Sequence, residues 1–218
     1  MKLPWAVSLL LAASPAYSQA LSVGLKAGVP LTEAFDTVSD VANRRYFEDR
    51  KRYTLGPMVE LRLPFGLGVE FNALYKRLGY SSTVPASDHT PGTVAAETKA
   101  TSWEFPLLLK LRSPGILVRP YVAGGVNFRS LSGLKQFVTV DVPGAAGVRS
   151  EQRDRPAELQ EKFSKGVVGA GGLELKVPFV RIAPELRYTR WVDRSFRDAL
   201  NIFKSSQNQF EFLVGFTF

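Results

Sequence analysis

The residue types of a hydrolytic triad occur together once in this chain, in the stretch ASDHTPG, where Ser87 and Asp88 precede His89, the single histidine. A serine nucleophile needs a histidine base and an orienting carboxylate converging on one reacting atom. Three consecutive side chains on a turn-forming stretch diverge, so His89 reads as a solvated loop residue. There is no cysteine, which removes thiolate nucleophiles, thiolate metal ligands and disulfides. The glycine clusters Gly124-Gly125 and Gly169 to Gly172 lack the G-x-G-x-x-G spacing and open no helix, so they do not read as phosphate cradles. Such glycines instead make room for large side chains or let strands bend. No catalytic residue, cofactor or metal is expected.

What remains chemically active is charge. The net charge is +8, but Lys and Arg are spread along the chain beside Asp and Glu, with no basic face interleaved with aromatics. Nucleic acid is therefore not an expected partner. The candidate charge network is Glu60, Arg62, Glu70, Glu104, Lys110, Arg112, Arg119, Glu174, Arg181, Glu185, Arg187 and Glu211, with Lys26, Arg129 and Lys176 sharing its pattern. A candidate contact patch lies in NRRYFEDRKRY, where Arg44, Arg45, Arg50, Lys51 and Arg52 surround aromatic residues.

The elements that must position these charges show in an alternation of period two. It runs through LSVGLKAGV from Leu21, YTLGPMVELRL from Tyr53, LGVEFNALY from Leu67 and SWEFPLLLKLR from Ser102. It returns in VRPYVAGGVNFR from Val118, VVGAGGLELKV from Val167, VRIAPELRY from Val180 and FEFLVGFTF from Phe210. Eight strands follow, and in each the Glu, Lys and Arg residues take the face opposite the Leu, Val and Phe set. A slip of one residue would reverse every assignment. Such exclusion of charge from one face suits lipid, where an outward Arg or Lys at mid-bilayer costs about 2–4 kcal/mol.

Links after strands two, four and six are short, around 64–66, 113–115 and 178–179. Links after strands one, three, five and seven are long, about 30–52, 80–100, 130–162 and 190–207. That sorting puts all long loops at one end, which in outer-membrane barrels is the extracellular one. Residues 1–20, MKLPWAVSLLLAASPAYSQA, carry a basic start, a short apolar core and two small-x-small sites ending at Ser18 and Ala20. They read as a cleavable secretory signal peptide, followed by a barrel domain over 21–218. An exported chain that enters a membrane without a spanning helix must close its sheet, since open edges are not tolerated in lipid.

On RPYVAGGVNF, GAGGLELKV, PELRY and the terminal FEFLVGFTF the chain resembles the eight-stranded outer-membrane β-barrel families, the membrane domain of outer-membrane protein A and the PorT-like β-barrel domain among them. The resemblance covers roughly residues 21–218. It implies an all-β, eight-stranded antiparallel up-and-down transmembrane barrel in the cell outer membrane, in contact with outer-membrane lipid and lipopolysaccharide. It also implies that Phe210, Phe212, Phe216 and Phe218 form the signal read by the barrel-assembly machinery. An eight-stranded bore is filled by side chains, so the charge network is expected to be a salt-bridged plug. The expected role is structural, or recognition of a surface ligand through the long loops. Two other readings stand beside it: a lipid-modifying outer-membrane barrel enzyme of the lipid A acyl hydrolase or transferase type, and a soluble lipocalin-like carrier. The carrier would turn the apolar faces inward.

Overall fold

The computed structural model describes residues 20–32, 35–37, 45–48, 53–84, 92–141, 149–153, 163–193 and 203–218. Among them are thirteen β segments and one 3₁₀ turn, Pro64–Gly66. Eight staves make the barrel: β1 (Leu21–Pro30), β4 (Thr54–Arg62), the continuous run of β5 (Leu67–Asn72) and β6 (Leu74–Val84), β7 (Thr93–Arg112), β8 (Val118–Asp141), β10 (Phe163–Val177), β11 (Val180–Trp191) and β13 (Asn208–Thr217). Each pairs antiparallel with its sequence neighbours, and β1 pairs with β13 to close the sheet. Closure leaves no open edge in the wall, the condition lipid imposes on a β structure. No helix among the described residues is long and apolar enough to cross a membrane, which says nothing about strands.

The third stave is interrupted at one residue, Ala73. Ala73 lies opposite Pro57 and donates its N–H to the Pro57 carbonyl at 3.0 Å, but Pro57 has no N–H to return. The ladder loses one rung there and the strand direction continues.

The alternating pattern sets which way each side chain points. Ser22, Lys26, Thr54, Met58, Glu60, Glu70 and Asn72 are buried in the lumen, while Leu21, Val23, Leu25, Leu55, Val59, Leu61 and Phe71 stand exposed on the outside. The last stave repeats this, with Glu211, Leu213 and Thr217 buried and Phe210, Phe212 and Phe216 exposed. Every one of the eight segments has the phase read from its charges. A lipocalin-like carrier needs the opposite phase, so that alternative is overturned.

Inward glycines give the bulky lumen residues their space. A Cβ on Gly172 would lie 2.6 Å from the Tyr121 hydroxyl, and one on Gly68 would lie 2.8 Å from an Arg112 guanidinium nitrogen.

Two of the expected long loops are mostly strand. β6 and β7 stay paired from Leu74↔Glu104 up to Val84↔Val94, and β7 and β8 from Arg112↔Tyr121 up to Thr93↔Asp141. The short strands β3 (Arg45–Glu48) and β9 (Arg149–Arg153) flank this sheet beyond the barrel rim. The stretch TVAAETKATS has no apolar stripe, although its inner positions Thr98, Ala100 and Ser102 are still buried. A small separate pair joins β2 (Phe35–Thr37) to β12 (Phe203–Ser205).

The short links sit together at the other end: the 3₁₀ turn, residues 113–117 and Pro178-Phe179. Phe65 (φ 62°) and Phe179 (φ 71°) occupy the left-handed region without being glycine, and both are almost fully exposed, at 95% and 97%. For a bulky residue that conformation is strained. Ile116 and Leu117 in the third link are exposed as well, so all three turns present large apolar side chains.

Candidate functional site

The lumen holds the chain's chemistry, arranged in three layers. At the loop-side end Glu104 accepts from Lys76 at 2.6 Å and from Arg129 at 2.8 Å, and Asn127 donates to it at 3.2 Å. Lys76 also pairs with Glu211 at 2.7 Å, and Thr54 donates to that carboxylate at 3.0 Å. The Arg129 guanidinium lies over the Trp191 ring, 3.7 Å from its centroid, and donates to Gln209 at 2.6 Å. The Trp191 indole N–H donates to the same Gln209 oxygen at 3.1 Å.

Glu70 is the hub of the middle layer. Lys26 reaches it at 2.6 Å, Lys110 pairs with it, Asn72 donates at 2.9 Å, and Arg187 lies at 3.7 Å. Glu185 binds Arg187 at 2.7 Å and Lys26 at 3.1 Å, and accepts the Tyr121 hydroxyl at 2.9 Å. The Lys110 ammonium sits 4.4 Å from the centre of the Tyr121 ring, a cation–π contact inside the bore. Lys26, Glu70, Glu185 and Arg187 are all buried. Charges taken out of water persist only when paired and hydrogen-bonded, and each of these has two or more partners.

The turn-side layer is different. Arg62 donates to Glu60 at 2.8 Å and Glu174 at 3.3 Å; Arg112 donates to Glu174 at 3.2 Å and also pairs with Glu60. Glu60 is shared with Lys110 above it, at 3.2 Å. Arg119 donates to the Gly115 carbonyl at 2.6 Å and Arg181 to the Ser22 hydroxyl at 3.4 Å, and neither pairs with a carboxylate among the described residues.

Of the side chains expected in the network, Glu60, Glu70, Glu104, Lys110, Arg112, Glu174, Glu185, Arg187 and Glu211 lie buried in the lumen, while Arg62, Arg119 and Arg181 are half-buried at its turn-side mouth. Lys26 and Arg129 join the pairing, whereas Lys176 is exposed at the rim. Lys76 was missed, because the third alternating segment was ended at Tyr75. It falls on the same parity as Glu70, Asn72 and Leu74, so one further step along the strand would have found it. Arg44, Arg50, Lys51, Arg52 and His89 lie outside the described residues, as does the expected signal segment before Ala20; Arg45 enters β3, where its backbone alone is described.

The outer face carries a second arrangement. Near the loop-side end Tyr53, Tyr75, Trp103, Phe105 and Phe71 form a chain of rings, with Tyr75 edge-on to Trp103 at 5.5 Å and Trp103 stacked on Phe105 at 6.5 Å. Further round the wall Phe128 stacks on Phe163 at 6.1 Å, and Tyr188 packs on Phe210 at 4.8 Å. A ring of aromatics above an apolar band is what a membrane–water interface selects.

Because the middle-layer charges pair with one another across an eight-stranded bore, which side chains are just able to fill, the protein reconstituted in planar bilayers is expected to show no stable conductance steps. Large, stable steps of the kind a porin gives would mean that the charges line water instead of each other.

No protein-family profile matches the chain, and no curated protein sequence matches it. Among solved structures it is similar to the outer membrane protein OprG from Pseudomonas aeruginosa, with a TM-score of 0.55 and 14% identity over 90% of this chain and 92% of that one. Neisserial surface protein A and the attachment invasion locus protein Ail of Yersinia pestis also align, at 13% and 12% identity, each with a TM-score of 0.38. These cover 92% and 91% of this chain and 96% and 97% of theirs. At such identity the OprG likeness speaks for fold alone. Together with the eight closed staves, the apolar exterior and the charged interior, it makes this chain an eight-stranded β-barrel of the outer-membrane type.

Proposed function

We propose that the protein is an exported, integral outer-membrane barrel whose lumen is a structural plug and whose work is done at the loop-side surface, as a structural or recognition element. The observation that carries this reading is the pairing of the middle and upper lumen charges with one another inside an exterior of exposed Leu, Val and Phe. A lumen so neutralised offers a solute no path, while the exterior is at home only in lipid. The short turns then face the periplasm and the long links, with the sheet of β3, β6, β7, β8 and β9, face outward.

The exterior would meet outer-membrane lipid and lipopolysaccharide, and the basic, aromatic stretch of residues 44–52 would contact anionic headgroups or a surface ligand. Phe210, Phe212, Phe216 and Phe218 would be read by the barrel-assembly machinery during insertion. The lipid-modifying enzyme reading would need a histidine base, and the single histidine, His89, lies outside the described residues.

The chain has no cysteine of its own, so single introduced cysteines report topology cleanly. On intact cells Ser150→Cys in β9 is expected to react with a membrane-impermeant maleimide, and Ser113→Cys in a short turn only after the outer membrane is permeabilised. The reverse pattern would overturn the orientation. Equal labelling of both in a soluble fraction would overturn the membrane reading itself.

A further inference from the structure

The lumen charges do not balance evenly along the barrel axis. In the upper layer Lys76 and Arg129 face Glu104 and Glu211. In the middle layer three cations face Glu70, Glu185 and the shared Glu60. At the turn-side mouth Arg62, Arg112, Arg119 and Arg181 have only Glu174 and part of Glu60. Among the described residues the mouth is therefore left with a surplus of about two to three positive charges, which repel one another unless a counter-charge is supplied.

The same mouth holds a cavity of about 690 Å³, lined by Arg62, Arg112 and Arg119 together with Phe65, Gly66 and Ser113. Arg181 adjoins it, with Arg62 and Arg119 as like-charged neighbours. The Arg119 Nε donates to the Gly115 carbonyl at 2.6 Å, and its terminal nitrogens have no carboxylate partner among the described residues. Above the cavity the salt-bridged layers close the bore, so whatever enters from the turn side stops there.

We propose that this mouth is a binding site for a phosphate-bearing anion. A guanidinium fork matches phosphate oxygens bidentately. A phosphomonoester carries close to two negative charges, enough to cancel most of the surplus, whereas a lone carboxylate would cancel one. The cavity is larger than a bare phosphate, so it has room for a phosphate that carries an organic substituent. Either a water-soluble phosphate ester or the headgroup of an anionic phospholipid supplies this chemistry. The inference rests on the barrel fold and not on the outer-membrane location or the surface role.

The test uses the full barrel refolded in zwitterionic detergent, titrated calorimetrically with glycerol 3-phosphate, inorganic phosphate and, separately, phosphatidate-doped micelles. Saturable binding is expected, at least tenfold weaker in the Arg119→Gln/Arg181→Gln double variant and severalfold weaker in Arg119→Gln alone. Arg190→Gln, exposed at the opposite end, should bind like wild type. Heat-modifiable gel mobility checks that each variant is folded, and Arg119→Gln keeps the test available if the double variant is not. Binding of the soluble ester assigns the site to a free ligand; binding of phosphatidate alone, with the same arginine dependence, assigns it to a lipid headgroup. The absence of saturable binding to any of the three, or binding indifferent to both arginines, overturns the proposal.

Discussion

Glu70→Gln is expected to destabilise the barrel by about 3–5 kcal/mol, the range for removing one partner of a buried ion pair and leaving the others uncompensated. Glu70 is fully buried and is the carboxylate that Lys26, Lys110 and Arg187 share. Without its charge, those three cations retain only Glu185 and the already divided Glu60. Adding Lys26→Met to Glu70→Gln removes one cation together with the lost anion, so the double variant should be more stable than Glu70→Gln by itself. Urea unfolding in micelles, followed by tryptophan fluorescence and gel mobility, measures both. A loss under about 1 kcal/mol in Glu70→Gln would mean that water screens the lumen. The idea of a dry plug would then fail.

Phe212→Arg probes the other side of the wall and should cost about 2–4 kcal/mol if that face meets hydrocarbon. Phe212 lies opposite Val29 on β1 and Leu186 on β11, within an exposed apolar band and one outward step from the Tyr188–Phe210 ring pair. Its neighbour Glu211 points inward to Lys76 and Thr54, so Glu211→Gln acts through a different mechanism, leaving Lys76 with Glu104 alone. Deleting Phe218 should impair assembly in cells more than stability in detergent. Membrane fractionation and heat-modifiable mobility of the three variants separate these effects. Wild-type insertion of Phe212→Arg would show that the terminal phenylalanines do not look at lipid.

The phase of every stave was legible because a membrane barrel reverses the usual solvent rule on both faces at once. Glu60 and Leu61 must part company, and no other arrangement of that strand avoids placing a charge in hydrocarbon. The strand ends were not legible. Beyond Leu78 on one stave and Trp103 on the next the outer face loses its apolar stripe, and the inner positions Thr98, Ala100 and Ser102, though still buried, are small or polar, so the alternation fades from the composition while the backbone pairing continues. Nor was the pairing inside the lumen legible. That Lys26 meets Glu70 and Glu185, on staves far away in sequence, depends on how the closed sheet is staggered, which is a property of the whole ring. The strained Phe65 and Phe179 also escaped, since turn chemistry favours glycine or asparagine where φ is positive.

The seam between β1 and β13 carries a temporal consequence. Its rungs join Gly24 to Thr217 and Pro30 to Glu211, the most sequence-distant pairing in the wall, whereas the hairpins of the other staves form from local chain. Contacts of such separation require a long loop to close before they repay it, and they form slowly. Until that moment the first and last staves each present a bare row of amide groups beside an apolar face, the combination that recruits other chains into aggregates. Closure of the seam is therefore expected to follow the hairpins, after an interval in which those two edges stand open. An escort that holds β13 during that interval shortens the period of risk without adding anything to the final stability.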